Sequence, residues 1–243
     1  FDVHGYQPTP EENWELFSSV ETVDVAAGYD TSYALRSDGT VWAWGSNEFG
    51  NLGESLSLQY STWPVQVPGL TNIVQIAAGD YFCYALTSDG RVMAWGKNED
   101  GMLGNNVGTY SLPFVLEIGA KYIAAGCTNT IVVKTDGTVT IRGESQYFPD
   151  NVSAITGVKK ADIDWCHFLL LKEDGTVMSW GYYEDDMLTQ RDMTPFIYEG
   201  ASDIVDVYAG ALNCVLRKAD NTCYSVTNPY YSDYSYISNA VTP

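Results

Sequence analysis

The chain of 243 residues carries 12 Lys and Arg against 31 Asp and Glu, a net charge of −19, and 45% of its residues are hydrophobic. That apolar content excludes wholesale disorder and supplies a core. No apolar run approaches the roughly 18 residues a membrane helix needs. A surface of this sign repels phosphate, which argues against nucleic acid and anionic membrane and leaves a basic protein, a cation or a neutral sugar.

In chain order, Phe1 to Val20 lack both a basic start and an apolar stretch, so no signal peptide is expected there. The acidic composition leans toward an extracellular or cell-surface setting, as in a secreted bacterial protein. An internal repeat then begins. Ala26-Ala27-Gly28 leads through TSYALRS to Asp38-Gly39, TVWAW and Gly45. The pattern returns as Ala77-Ala78-Gly79, Asp89-Gly90 and Trp95-Gly96, and as Ala124-Ala125-Gly126, Asp136-Gly137 and Arg142-Gly143. A fourth copy has Asp164 at the glycine station, then Asp174-Gly175 and Trp180-Gly181; a fifth runs Ala209-Gly210, Asp220-Asn221 and Val226-Thr227. Anchor and turn Asp are ten residues apart in every copy, whereas successive turn Asp residues are 51, 47, 38 and 46 apart. A constant unit with variable connectors is what stacked supersecondary units produce.

Each unit reads as a β-hairpin around a two-residue Asp-Gly turn, with Asn221 fitting where glycine would. Apolar stretches before the hairpins (Val23 to Val25, Ile73 to Ile76, Ile204 to Val207) and after them (Pro64 to Val67, Pro113 to Leu116) bring the count to about four strands per repeat. The fold class is therefore all-β, a β-propeller of four-stranded blades, and 1–243 is expected to form one domain. Residues 1–22 serve as lead-in, and the repeats span 23–72, 73–120, 121–158, 159–202 and 203–243. Asn13 to Phe17 aligns with Pro64 to Val67, which predicts an N-terminal outer strand closing the ring on the last blade. An open solenoid of five units is the alternative. The recurring Trp44, Trp95 and Trp180 are expected to pack between blades.

These residues resemble the regulator-of-chromosome-condensation repeat family. AAGDYFCYALTSDGRVMAWGKNEDGMLG (Ala77 to Gly104) is similar to a near-complete copy, and Ala26 to Gly53 is nearly as good. The resemblance implies a seven-bladed ring where five repeats are visible. It also implies a His three residues after each anchor, where this chain has Thr31, Phe82, Asn129, His167 and Asn213. The family's exchange-factor activity rests on a wedge insertion with no matching segment here, so that activity is not carried over.

Catalytic signatures are missing: no GxSxG, no HExxH and no phosphate-binding GxxxxGK[ST]. Of the two histidines, His4 and His167, the second stands at the family's structural station. No enzyme and no cofactor are expected. Cys83, Cys127, Cys166, Cys214 and Cys223 form no CxxC pair, which argues against zinc and for small buried hydrophobes. Asn47-Glu48, Asn98-Glu99-Asp100 and Glu184-Asp185-Asp186 lack calcium-loop spacing and read as solvated loop acids. Asn151-Val152-Ser153 is a lone glycosylation sequon.

Topology puts the loop after each anchor glycine and the loop after each Trp-Gly at one end of a blade, with the Asp-Gly turns at the other. The first end collects Tyr29, Asp30, Phe49, Asp80, Tyr81, Trp165, Tyr182 and Tyr183, with Glu48, Glu99, Asp100 and Glu184 to Asp186 beside them. A bacterial β-lactamase-inhibiting propeller of the family is similar in setting aromatics on the loop after the anchor glycine. Aromatics beside charges suit a protein hot spot or a sugar platform. The expected function is a non-catalytic platform for a macromolecule, a basic protein first and a carbohydrate second, with a glycan-processing or metal-dependent enzyme as the remote alternative.

Overall fold

A computed structural model describes residues 9–54, 56–104, 108–165, 167–181, 195–198, 201–210 and 213–227. Five small antiparallel sheets follow one another as propeller blades. Blade one holds β1 (Thr22–Ala27), β2 (Thr31–Arg36), β3 (Val41–Ser46) and β4 (Tyr60–Gln66); blade two holds β5 (Ile73–Ala78), β6 (Phe82–Thr87), β7 (Val92–Asn98) and β8 (Gly108–Glu117). Blade three holds β9 (Ala120–Ala125), β10 (Asn129–Lys134) and β11 (Val139–Gly143). Blade four has β12 (Val158–Asp164), β13 (His167–Lys172), β14 (Val177–Gly181) and β15 (Phe196–Ile197), and blade five β16 (Ile204–Ala209), β17 (Asn213–Lys218) and β18 (Cys223–Thr227). Among the described residues, no helix is long and apolar enough to cross a membrane.

The repeat fixes one register five times. The residue three after the anchor pairs with the glycine of Trp-Gly: Thr31 with Gly45, Phe82 with Gly96, Asn129 with Gly143 and His167 with Gly181, and Asn213 meets Thr227 in blade five. In blades one to four this station is glycine, and Gly96 shows two reasons. Gly96 has φ 106°, and a Cβ on it would lie 2.4 Å from the Tyr81 carbonyl.

The hairpin turn differs from the two-residue form expected. Gly39 N–H donates to the Arg36 carbonyl, Arg36 N–H donates to the Thr40 carbonyl, and of the Asp-Gly pair only Gly39 has positive φ. This is a three-residue loop ending in a left-handed glycine, because a type I′ turn would require positive φ at Asp38 as well. Instead the Asp38 carboxylate stays in the right-handed side of the map and accepts from Thr40 N–H (2.9 Å) and Thr40 Oγ1 (2.7 Å). Asp136 and Asp174 repeat both bonds, and Asn221 takes the glycine's conformation at φ 68°.

The strand expected over Asn13 to Phe17 is a helix, α1 (Pro10–Ser18). Thr9 and Glu12 form a reciprocal capping box with Pro10 opening the helix, and these start signals outweigh the alignment with Pro64 to Val67. The helix packs on blade one, not on the last blade. The Phe17 ring lies edge-on to Trp42 and Trp44, with centroids 5.8 and 6.0 Å away, and the Arg36 guanidinium sits 4.1 Å from its centre. Among the described residues, no strand of blade five pairs with the N-terminal segment. Blade three also departs, with three strands in place of four. The shortest connector follows it, and two 3₁₀ turns, Ser145–Tyr147 and Val152–Ala154, occupy the place of an outer strand.

The core lies between blades. Trp95 is fully buried against Tyr33 of blade one at 6.0 Å, and both side chains donate to the Asn51 carbonyl at 2.8 Å. Trp180 stacks on Phe168 at 5.0 Å and donates to the Tyr147 carbonyl of the preceding connector. The packing role expected of these two tryptophans is therefore what the structure has; Trp44, on the first blade, meets Phe17 instead. Cys83 and Cys214 are buried and Cys127 and Cys223 half-buried, all as free thiols, while Cys166 lies outside the described residues, as does His4.

Between blades four and five a carboxylate is partly buried. Asp162 stands where the first three repeats have alanine and accepts from Ala209 N–H at 2.7 Å. Burial pushes its carboxyl up to about 6, against the opposing pull of that hydrogen bond. Its protonated form is the better buried one, so its stabilising contribution is full below the ordinary carboxylate range and is lost as pH rises through about 6.

Two outcomes are expected. Trp95→Ala costs about 3–5 kcal/mol in denaturant unfolding, as for a truncated buried aromatic; a surface role would leave the midpoint nearly unchanged. Lowering the pH from 7.5 to 5 stabilises the wild-type chain by about 1 kcal/mol relative to Asp162→Asn. Buried His167, whose pKa is lowered by desolvation, titrates in the opposite sense in both proteins and so drops out of the difference.

Candidate functional site

The loops after the anchors lie side by side because the anchors do. A Cβ on Gly28 would sit 2.6 Å from the Gly79 carbonyl, and one on Gly79 2.5 Å from the Gly126 carbonyl. With the backbones this close, Tyr29 N–H donates to the Asp80 carbonyl (2.9 Å) and Asp80 N–H to the Cys127 carbonyl (3.0 Å). The loops of blades one, two and three are thus sewn into one row. Cys127 reaches on to blade four, where the Trp165 backbone faces its sulfur; burial and then the Asp80 charge raise this thiol to about 11. A thiol held protonated in this way is structural, not nucleophilic.

The returning loops close on the same row. Ser46 N–H donates to the Asp30 carbonyl (2.8 Å) and Lys97 N–H to the Tyr81 carbonyl (2.9 Å). Asn47 and Asn98 are buried and hold these loops from inside, their side-chain oxygens accepting from Leu52 N–H (2.9 Å) and Leu103 N–H (2.7 Å). Glu48, Glu99 and Asp100 are left pointing to solvent.

Three of the aromatics expected at this end meet. Tyr81 lies 5.7 Å from Tyr29 and 5.1 Å from Phe49, ring centre to ring centre. Lys97, which the sequence reading did not single out, puts its ammonium 4.7 Å from the Phe49 ring and 5.2 Å from the Tyr81 ring while pairing with Glu99 at 2.8 Å. Its signal was present in WGKNED, where it directly follows the Trp-Gly glycine. Tyr29 is 70% exposed and Phe49 and Tyr81 are partly covered, so the cluster offers an open ring over a packed base. Desolvation, then Tyr29, Asp80 and Asp30, raise the Tyr81 hydroxyl above its ordinary value, keeping it neutral. Desolvation and the neighbouring Glu144 and Glu99 raise the Asp100 carboxyl, so acids from blades two and three crowd at this end.

Trp165 stands further along the row at the same station as Tyr29. It is 58% exposed and has φ 48°, a left-handed conformation rare for a bulky residue. Tyr182, Tyr183 and Glu184 to Asp186 lie outside the described residues.

Models of the regulator of chromosome condensation (RCC1) repeat match residues 38–86 in one form and residues 22–51 and 73–101 in a second. The chain belongs to this repeat family. It is similar to the ultraviolet-B receptor UVR8 of Arabidopsis thaliana, 29% identical over 194 residues that cover 71% of this chain and 44% of the receptor. Human E3 ubiquitin-protein ligase HERC2 is 30% identical over 199 residues, 72% of this chain but 4% of the ligase. The chain thus spans less than half the length of the curated relatives it matches. Among solved structures, human WBSCR16 superposes with a TM-score of 0.71 at 20% identity, covering 86% of this chain and 62% of that one. Yeast RCC1 (Prp20), solved with Kap60 bound, gives 0.70 at 23%, covering 88% and 57%. These likenesses establish the RCC1 propeller fold. Within it His167 is a strut: its Nδ1 lies 3.0 Å from the Gly210 carbonyl of the next blade and its Nε2 2.8 Å from Ser179 Oγ.

Proposed function

We propose that this RCC1-repeat chain is a non-catalytic platform whose loop end holds a basic protein. The observation that carries the reading is the Tyr29, Phe49 and Tyr81 cluster, drawn from two blades and bordered by Asp30, Glu48, Asp80, Glu99 and Asp100. An aromatic patch set on a rigid scaffold loses little conformational freedom on binding, and surrounding carboxylates steer a partner of opposite sign. Propellers of this fold support it: yeast RCC1 (Prp20) has been solved bound to Kap60, and Prp20p has been described with its binding to Gsp1p and histones.

In this reading Tyr29, Tyr81 and Trp165 are the anchors, Phe49 and Lys97 hold Tyr81 in place, and the acids set affinity at a distance. Tyr182 and Tyr183 are assigned to the same face by their position after Trp180-Gly181. Affinity for a basic protein falls as salt rises, whereas binding of a neutral glycan would be insensitive to it.

The test uses a partner captured from a source extract and then purified. Tyr81→Ala combined with Trp165→Ala is expected to weaken it at least thirtyfold by calorimetry while the circular dichroism stays unchanged, since an aromatic anchor contributes about 2 kcal/mol or more. Asp89→Ala with Asp136→Ala, at the opposite end, is expected to lower the melting temperature slightly and spare binding. The face assignment fails if the turn variant loses binding and the aromatic variant keeps it, both being folded.

A further inference from the structure

Of the four interfaces between successive blades, two are filled by a tryptophan, Trp95 or Trp180, while blade three has Arg142 at that station and blade five has Val226. Val226 pairs with Cys214 at the register station that holds Trp44 opposite Ser32, Trp95 opposite Cys83 and Trp180 opposite Phe168. The preceding connector differs in step. Tyr198 N–H donates to the Val177 carbonyl as Val67 N–H donates to the Val41 carbonyl, so Tyr198 takes the station of Val67, and Ala201, three residues on, takes that of Leu70. In the first interface Trp95, Val67 and Leu70 fill one buried core. Their counterparts between blades four and five are Val226, Tyr198 and Ala201. The larger Tyr198 offsets part of the missing indole, but among the described residues nothing replaces the three carbons lost from leucine to alanine.

The unfilled space is a cleft of about 230 Å³ lined by Tyr198, Ala201, Ile204, Leu216, Tyr224 and Val226, with Lys218 among them. An apolar cavity of roughly 150 Å³ already admits benzene, so this one has room for a ring and a short arm. Tyr224 is 36% exposed, and the Lys218 ammonium stands 5.2 Å from its ring centre, so the opening is marked by an aromatic edge and a positive charge. The Lys218 ammonium beside the apolar cleft is the group that favours an anion there, against the field of a chain of net charge −19.

We infer that this cleft is a binding site for a small planar aromatic carboxylate, whose ring takes the space that an indole side chain fills between blades one and two and between blades three and four, and whose carboxylate meets the Lys218 ammonium. The site is separate from the loop end and independent of what binds there. Its walls come from two blades, so an occupant bridges them and stiffens the packing of blade five on blade four.

Indole-3-acetate and neutral indole serve as probes, read by calorimetry and by the melting temperature of the full chain. Indole-3-acetate is expected to bind saturably and raise the melting temperature, with several-fold higher affinity than indole. Val226→Trp fills the cleft with the chain's own ring and is expected to melt no lower than wild type and to lose the probe. Ala201→Leu, which restores the leucine of the other interface, is expected to weaken it and decides the matter alone if Val226→Trp does not fold. Lys218→Met is expected to bind the two probes equally. Absence of saturable binding at millimolar indole-3-acetate, or binding retained in folded Ala201→Leu and Val226→Trp, overturns the assignment.

Discussion

A backbone carbonyl freed by a glycine turn, meeting an N–H of the next blade, is the contact on which the remainder of this structure depends. Ile73 N–H donates to the Gly39 carbonyl, Ala120 N–H to the Gly90 carbonyl and Val158 N–H to the Gly137 carbonyl. Each left-handed glycine turns its carbonyl outward from the hairpin, and a backbone acceptor buried there without a partner would be costly. At the other end of the same blades, Tyr29 to Asp80 and Asp80 to Cys127 repeat the stitch. Between blades one and two and between blades two and three, two such stitches set both spacing and tilt, and the tryptophans and aliphatic side chains fill the volume so defined. The aromatic row at the loop end is a product of this constraint: Tyr29 and Tyr81 meet because Gly28 and Gly79 leave no room for a side chain between their backbones.

The scarce cations serve the same end. Lys134 and Arg142 of blade three both pair with Glu117 at the end of blade two, and Lys160 and Arg217 both pair with Asp206 between blades four and five. Lys121 joins Glu173 across blades three and four, and Arg36 is taken up by Phe17 and Thr22. Basic groups spent between blades do not offset the acids that face solvent. The negative field at the loops therefore follows from where the few positive charges are held as much as from the count of acids.

How much of this was legible in the sequence can be judged residue by residue. The hairpins were, because an anchor glycine, an Asp-Gly and a Trp-Gly at constant spacing leave one register open, and the loop end followed from topology alone. The turn geometry was not, since Asp-Gly suits both a type I′ turn and a three-residue loop; the choice falls on Thr40 and Thr138, whose N–H and hydroxyl groups hold the carboxylate of the turn. At helix α1 two signals in the sequence compete, the in-phase alignment of Asn13 to Phe17 with Pro64 to Val67 and the capping pattern Thr9-Pro10-Glu11-Glu12, and the local capping prevails. The role of Lys97 is not legible in the sequence, because it exists only once Phe49 and Tyr81 are adjacent. The exchange of Trp for Val226 was visible as a departure from Trp-Gly, but its consequence needed the register to show that Tyr198 and Ala201 change with it.

The leading face of blade one and the trailing face of blade five are built differently from the faces that neighbouring blades pack together. Val25 is 69% exposed, whereas its counterparts Ile76, Ile123, Ala161 and Val207 are at most 6% exposed, each against a preceding blade. Further out on the same face, Phe17 supplies what a preceding blade supplies elsewhere: Trp95 and Trp180 lie against the connectors at Asn51 and Tyr147, and Trp44 lies against the helix. Blade five departs in the other direction. Arg217 stands where blades one to four have Leu35, Leu86, Val133 and Leu171, and Cys223 where they have Val41, Val92, Val139 and Val177. A guanidinium held by Asp206 cannot pack as leucine does, so the trailing face of this blade is polar where the others are apolar. A face covered by a helix and a polar face holding an ion pair thus replace the apolar surfaces that neighbouring blades present to each other.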